Sequence, residues 1–185
     1  MNGEATMAGQ PLDLLCAALS AEFRRDGGVG GVATLLGNYA ASEVDWKASA
    51  HFAEDLYTRN LIFKDERYEL LALCWSPGQE SPIHNHMGQR CWMGVLEGRI
   101  EEVQYGHPSG SGPLVETGVK VFEPGQVAFI SDEIGLHLVR PVGGRSAVSL
   151  HLYSRPFETC RGYDPETGVE RELTLSYHSI RSVTA

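Results

Sequence analysis

The stretch GQESPIHNHMGQRCWMGVLEG, residues 78–98, decides how the rest of the chain is read. At its centre is His84-Asn85-His86. Side chains two apart on extended backbone point to one face, so both imidazoles can reach one metal ion, and neutral imidazole suits iron, zinc, copper or nickel. Gly78 and Gly98 frame the stretch: five residues separate Gly78 from His84, four separate His86 from Cys91, and six separate Cys91 from Gly98. A single histidine is more often hydrogen-bonded or at the surface than metal-bound. The pair in this spacing is what points to a metal.

Outward from this stretch, short apolar or alternating runs recur between turns: Tyr68 to Trp75, Cys91 to Leu96, Ile100 to Tyr105, Gly118 to Phe122, Gln126 to Ile130, Leu136 to Val139 and Ala147 to Tyr153, with a later one from Arg171 to His178. Ser76-Pro77-Gly78, His107-Pro108-Ser109-Gly110 and Pro141-Val142-Gly143-Gly144 carry turn chemistry between them. Antiparallel β structure is expected. Upstream, after a start that reads as disordered, Leu12, Leu15, Cys16, Leu19 and Phe23 recur at helical spacing and Gly27-Gly28 ends the run. Ser42 is the expected cap of a further helix, with Asp45 in its first turn and Trp46 opening its apolar face. No internal repeat or low-complexity linker interrupts the chain.

The 185 residues fit one domain; 42% are hydrophobic and 21% charged, and 21 glycines supply turn positions. A formal charge of −9 disfavours nucleic acid and anionic membranes, which are bound chiefly through Lys and Arg. No apolar run approaches the ~20 residues of a membrane span, and no basic segment leads into an apolar one at the N-terminus, so a cytoplasmic protein is expected. Cys16, Cys74, Cys91 and Cys160 lie far apart and read as reduced thiols, the first, second and fourth as packing residues.

The spacing of residues 78–98 resembles the first conserved motif of the cupin superfamily, whose double-stranded β-helix (jelly roll) carries a metal inside the barrel. Many cupins place a glutamate ligand where this chain has Cys91. Gly135-Leu136-His137 stands where the second cupin motif contributes its ligand, so the resemblance implies three histidines, His84, His86 and His137. Within the superfamily, Tyr57-Thr58-Arg59-Asn60-Leu61, Leu73-Cys74-Trp75, His84-Asn85-His86, Ile134-Gly135-Leu136-His137, Ser149-Leu150-His151-Leu152-Tyr153-Ser154 and Pro156-Phe157-Glu158-Thr159-Cys160 are similar, in order and spacing, to cysteine dioxygenase. The resemblance covers roughly Tyr57 to His178. It implies one Fe(II) per chain, a small thiol and O2 as reactants, a substrate carboxylate gripped by Arg59 with help from Tyr57, and a hydroxyl on Tyr153 beside the reacting atoms. Arg59 suits that task because paired guanidinium donors match a carboxylate.

Ser149, His151 and Tyr153 alternate with Val148, Leu150 and Leu152, so a strand places the three polar groups on one face, where His151 and Ser149 can orient Tyr153. No G-x-S-x-G elbow accompanies them, which argues against hydrolysis. Cys91 and Tyr153 match residues that form a thioether crosslink in some family members. One departure is Arg155, standing where mammalian-type members have a proline after a cis bond; it adds a second cation near the Tyr153 strand. His51, His107 and His178 read as surface or structural, Trp75, Trp92 and Phe157 as core or pocket wall, and Glu97, Glu101 and Glu102 as a solvated face. Being adjacent, Glu101 and Glu102 point to opposite sides of a strand.

The expectation is therefore a mainly β cupin barrel, about residues 57–180, with a small N-terminal helical part, about residues 10–56, in one domain. Its expected reaction is dioxygenation of L-cysteine to cysteine sulfinate, with no obligatory protein partner. Rival readings are a dioxygenase of 3-mercaptopropionate or another small thiol, a zinc or nickel cupin hydrolase or isomerase, and a binding or regulatory cupin.

Overall fold

The structure, a computed structural model, describes residues 10–26, 30–42, 44–107, 110 and 112–181. Two helices come first, α1 (Pro11–Asp26) and α2 (Val32–Ser42), then a 3-10 turn at Asp45–Ser49. Pro11 opens α1, where its fixed φ suits the first helical position. The Asp45 carboxylate closes that end from far along the chain, accepting from the Leu12 amide at 2.9 Å and the Tyr39 hydroxyl at 2.5 Å. Leu12, Leu15, Cys16, Leu19 and Phe23 are buried, as their spacing predicts. The expected disordered start and Gly27-Gly28 lie outside the described residues. Ser42 does not cap a following helix: it is the last residue of α2, and its hydroxyl donates to the Asn38 carbonyl at 2.8 Å. Gly37 weakens the local signal for α2, since glycine costs about 1 kcal/mol against alanine inside a helix. Packing supports the helix there, because the chain passes so near the β structure that a Cβ at Gly37 would lie 3.4 Å from the Gly125 carbonyl.

Among the described residues that follow there are twelve strands: β1 (Thr58–Lys64), β2 (Tyr68–Trp75), β3 (Ile83–His84), β4 (Arg90–Glu97), β5 (Ile100–Tyr105), β6 (Glu116–Phe122), β7 (Val127–Ser131), β8 (Leu136–Pro141), β9 (Ala147–Ser154), β10 (Thr159–Tyr163), β11 (Glu170–Thr174) and β12 (Ser179–Ile180). They form two six-stranded sheets, ordered β12-β1-β2-β9-β4-β7 and β11-β10-β3-β8-β5-β6. This is the mainly β jelly roll expected, with its two helices at the N-terminal side. The expected strand from Arg171 to His178 stops at Thr174, and β1, β3, β10 and β12 carry too little alternation to be read in advance. No helix among the described residues is long and apolar enough to cross a membrane.

The first sheet is buried on both faces, which is why β2 is apolar almost without interruption and every one of its residues is buried. Its outer face presents Tyr68, Leu70, Cys74, Leu150 and Leu152 to α1 and α2. Its inner face presents Leu71, Leu73, Trp75, Cys91, Met93 and Tyr153 to the barrel interior, where Ile100 and Val139 arrive from the second sheet. Burial of each Leu or Ile side chain here contributes about 1.5–3 kcal/mol. Trp92 belongs to the outer layer, its ring 5.1 Å from that of Phe129, so it is not a wall of the interior. Cys91 and Met93 flank it and take the inward positions, as strand alternation requires.

Candidate active site

The two-residue strand β3 holds His84 between β8 and β10, with His84 directly opposite His137. Asn85 points the other way and pins the segment to β10, accepting from the Arg161 amide at 2.9 Å while its own amide donates to the Arg161 carbonyl at 3.1 Å. His86 then returns to the face of His84. The turn beyond it is fixed by Asp132, which accepts from the amides of His86 and Gly88 at 2.7 and 2.6 Å. The three rings converge, with centroids 5.1, 4.7 and 4.8 Å apart, and one nitrogen from each lies within 4.8 Å of the others.

Hydrogen bonds set the tautomers. A carbonyl can only accept, so His84 Nδ1–H donates to Pro82 at 2.9 Å and leaves Nε2 its lone pair. His137 Nδ1–H donates to Glu102 Oε1 at 2.8 Å, with the same consequence. His86 is fully buried and neither ring nitrogen has a hydrogen-bond partner. An unsatisfied buried polar group costs about 1–3 kcal/mol. A divalent cation among the three rings would take one lone pair from each and so satisfy one of the two His86 nitrogens, and these residues therefore fit a metal ion. Burial holds His84 below the ordinary histidine value, with the Arg59 charge acting in the same direction, and holds His86 and His137 well below it. All three are therefore neutral, the form that ligates metal.

Along β9, Ser149, His151 and Tyr153 share the inward face. Trp75 Nε1–H donates to Ser149 Oγ at 3.0 Å, Ser149 Oγ lies 3.1 Å from His151 Nε2, and His151 Nδ1 lies 3.1 Å from the Tyr153 hydroxyl. Burial holds His151 neutral and the Tyr153 phenol protonated. Across the sheet, Cys91 stands directly opposite Tyr153, and burial pushes its thiol up as well. Arg59 extends from β1 so that its guanidinium carbon lies 5.4 Å from the Tyr153 ring centroid; the side chain is buried, and its Nε has no partner. Tyr57 stacks on Trp75 with centroids 4.5 Å apart. Tyr57, Arg59, Trp75, His84, His151 and Tyr153 line one narrow cavity. The structure thus brings the candidate site residues together: His84, His86 and His137 as one group, Ser149, His151, Tyr153 and Cys91 beside it, with Arg59 and Tyr57 on the cavity wall.

Several positions differ from expectation. Glu102 is not solvated: it is buried and holds His137, while its neighbour Glu101 turns outward to Arg140 at 2.6 Å. Cys160, read as a packing residue, lines the cavity. Arg155 is exposed with φ of 73°, its amide donating to the Arg67 carbonyl at 2.8 Å, and it faces a surface groove with Arg67 and Arg90. The described chain has no cis peptide bond, so the backbone accommodates Arg155 by a left-handed residue. Glu69 is fully buried beside Arg59 and gave no sequence signal beyond its place in an apolar run.

Residues 4–166 match the family described as cysteine dioxygenase type I. Cysteine dioxygenase type 1 of Homo sapiens is 36% identical over 151 residues, 80% of this chain and 76% of that protein. The Danio rerio protein of the same name is 34% identical over 187 residues, 97% of this chain and 92% of that one. Among solved structures, TT1209 from Thermus thermophilus aligns with a TM-score of 0.50 and 24% identity over 61% of this chain and 96% of its own. BH2720 from Bacillus halodurans aligns at 0.51 and 16% over 75% and 89%. These two share the fold.

Proposed function

Because the chain belongs to the cysteine dioxygenase type I family and is an oxidoreductase, we propose that it oxidises L-cysteine to cysteine sulfinate at one Fe(II) held by His84, His86 and His137. The observation that carries this reading is the convergence of three neutral imidazoles, one with both nitrogens unsatisfied, at a point where His84 borders the cavity that Arg59 and Tyr153 also line. The reaction, RSH + O2 → RSO2H, balances without an external reductant, since sulfur gives up the four electrons that O2 takes. Bound Fe(II) supplies open positions for a thiolate and O2 and the redox partner that spin-paired thiols need to react with O2.

The chain's own groups supply position and protons. Arg59 receives the substrate carboxylate on its unpartnered Nε edge, with Tyr57 closing that side, and the two-point contact selects a thiol acid. The hydroxyl of Ser149 accepts from Trp75, which leaves its own proton for His151 Nε2. His151 Nδ1–H then donates to the Tyr153 oxygen, and the phenolic proton is left to point into the cavity. Tyr153 is placed to hydrogen-bond an oxygen acceptor at the reacting centre, a preorganised donor in a site largely closed to water. Trp75 and Phe157 provide that closure. A Cys91 to Tyr153 thioether, formed with loss of two hydrogens to O2, would fix the ring.

The test is sulfinate formation, followed by mass spectrometry, from Fe(II)-loaded protein in air given L-cysteine and 3-mercaptopropionate in parallel. Preference for L-cysteine is expected. Preference for 3-mercaptopropionate would keep the reaction and replace the substrate; sulfinate from neither would overturn the reading in favour of a non-oxygenase cupin.

A further inference from the structure

Glu69 is a fully buried carboxylate that the reaction proposed above does not use. It faces the barrel interior from β2, directly opposite Tyr153 on β9. Its Oε1 lies 3.5 Å from Arg59 Nη2, and its Oε2 accepts a 2.5 Å hydrogen bond from the Tyr177 hydroxyl. Tyr177 is fixed in turn, since Lys64 Nζ donates to its oxygen at 3.1 Å. A continuous polar chain thus runs from exposed Lys64 through Tyr177 and Glu69 to Arg59. The Tyr177 segment is tied down beside it, the His178 amide donating to the Arg59 carbonyl at 2.8 Å.

Arg59 borders two spaces. It lines the inner cavity with Trp75 and Tyr153, and also an outer groove with Leu56 and Ser176. A long cationic side chain in that position has an outward, hydrated alternative, and a buried guanidinium without an anion favours it. The Tyr153 ring face alone is a weak anchor against hydration. Glu69 is the buried anion on the inward side. Its Oε1 engages Nη2 and leaves Nε without a partner, so that the Nε–H remains for a ligand carboxylate.

We infer that Glu69 is a positioning residue which, locked by the Tyr177 hydroxyl, keeps the Arg59 guanidinium turned into the cavity with its Nε edge presented to the substrate carboxylate. This rests on the reading of Arg59 as the carboxylate-binding group. Glu69 also repels an arriving carboxylate, but with Nη2 on one anion and Nε on the other the guanidinium offsets that repulsion; loss of the anchor has no such offset.

The experiment measures KM and kcat for L-cysteine, and the inhibition constant of carboxylate-free 2-aminoethanethiol, in iron-loaded wild-type protein and in Glu69→Gln, Tyr177→Phe and Arg59→Gln. For Glu69→Gln, KM is expected to rise about tenfold with a smaller change in kcat, because a displaced binding group costs mainly in substrate capture. Tyr177→Phe is expected to show the same change in smaller degree, and the inhibition constant is expected to hold in both. A KM that is unchanged or lowered in both variants overturns the inference, as does a parallel loss of affinity for the carboxylate-free thiol, which would mark a general structural defect. Should Glu69→Gln fail to fold, Tyr177→Phe, at a half-buried position, decides alone. Arg59→Gln separates the two readings: if it raises KM for L-cysteine and the other variants do not, only the anchor fails, and if it leaves KM unchanged, the carboxylate reading fails with it.

Discussion

Glu102 reads in the sequence as part of an acidic, solvated run, yet its carboxylate is buried and receives the Nδ1 proton of His137. The alternation rule already requires Glu101 and Glu102 to face opposite ways, and Ile100, buried and two residues before Glu102, marks the inward side. The signal was present, but charge outweighed period in reading it. Its physical role is to fix one tautomer and one ring orientation in a candidate ligand. Replacing Glu102 by Gln is expected to weaken metal binding by about 10- to 100-fold, measured by competition with a chelator. The metal-free melting temperature should change far less than the affinity, because glutamine keeps the shape and an acceptor oxygen. Equal losses in both would assign Glu102 to the fold and not to the site.

At the level of strands, register does what residue type cannot. The β4–β9 pairing sets Cys91 directly opposite Tyr153, and side chains so paired have Cβ atoms about 4.5–5.5 Å apart. Protein turned over with iron, L-cysteine and air is expected to lose the mass of two hydrogens in intact mass spectrometry as the thioether forms. Cys91→Ala and Tyr153→Phe should abolish that loss; an unchanged mass in the wild type would exclude the link. The β3–β8 pairing likewise brings His84 to His137, and the loop before β8 depends on Gly135. Its φ is 148°, and a Cβ there would collide with the Tyr105 carbonyl oxygen. Gly135→Ala should destabilise the protein by at least about 1–3 kcal/mol in denaturant titration, through strain and displacement together. Metal affinity should fall with it, since His137 follows two residues later. Full affinity in the destabilised variant would show that β8 holds its register without that loop.

Across the whole molecule, four histidines are kept neutral by burial: His84, His86, His137 and His151. Their folded values are depressed below the ordinary 6.5, so the unfolded chain binds more protons than the native one in the interval between. Stability then rises with pH through that interval: it is retained above 6.5 and lost as pH falls below it. Metal-free protein is expected to show a falling melting temperature from pH 7 to pH 5, and Fe(II) or a redox-inert divalent substitute should raise it at neutral pH by binding only the native state. A melting temperature flat across that pH range would mean that the four rings titrate as they do in the unfolded chain.

The sequence by itself determined the sheet-rich class, most of the long strands, the first helix and the His84-Asn85-His86 pair, because each rests on a short-range regularity: a period of two, a period near 3.6, or H-x-H on extended backbone. His137 became a candidate only through the family resemblance. The strands β1, β3, β10 and β12 and the helix α2 were decided by tertiary packing, since two-residue, half-polar or glycine-interrupted segments acquire their form only from the neighbours they pack against. The same holds for the site's support. Nothing local relates Glu69 to Arg59 and Tyr177, or Glu102 to His137. Arg59 and Glu69 meet across the β1–β2 pairing, Glu102 and His137 across the β5–β8 pairing, and Tyr177 reaches Glu69 from 108 residues away, so strand pairing and chain return, not local spacing, make them neighbours. The sequence could therefore name candidate groups for a metal and a substrate, while the fold alone selects the buried charges that hold those groups in place.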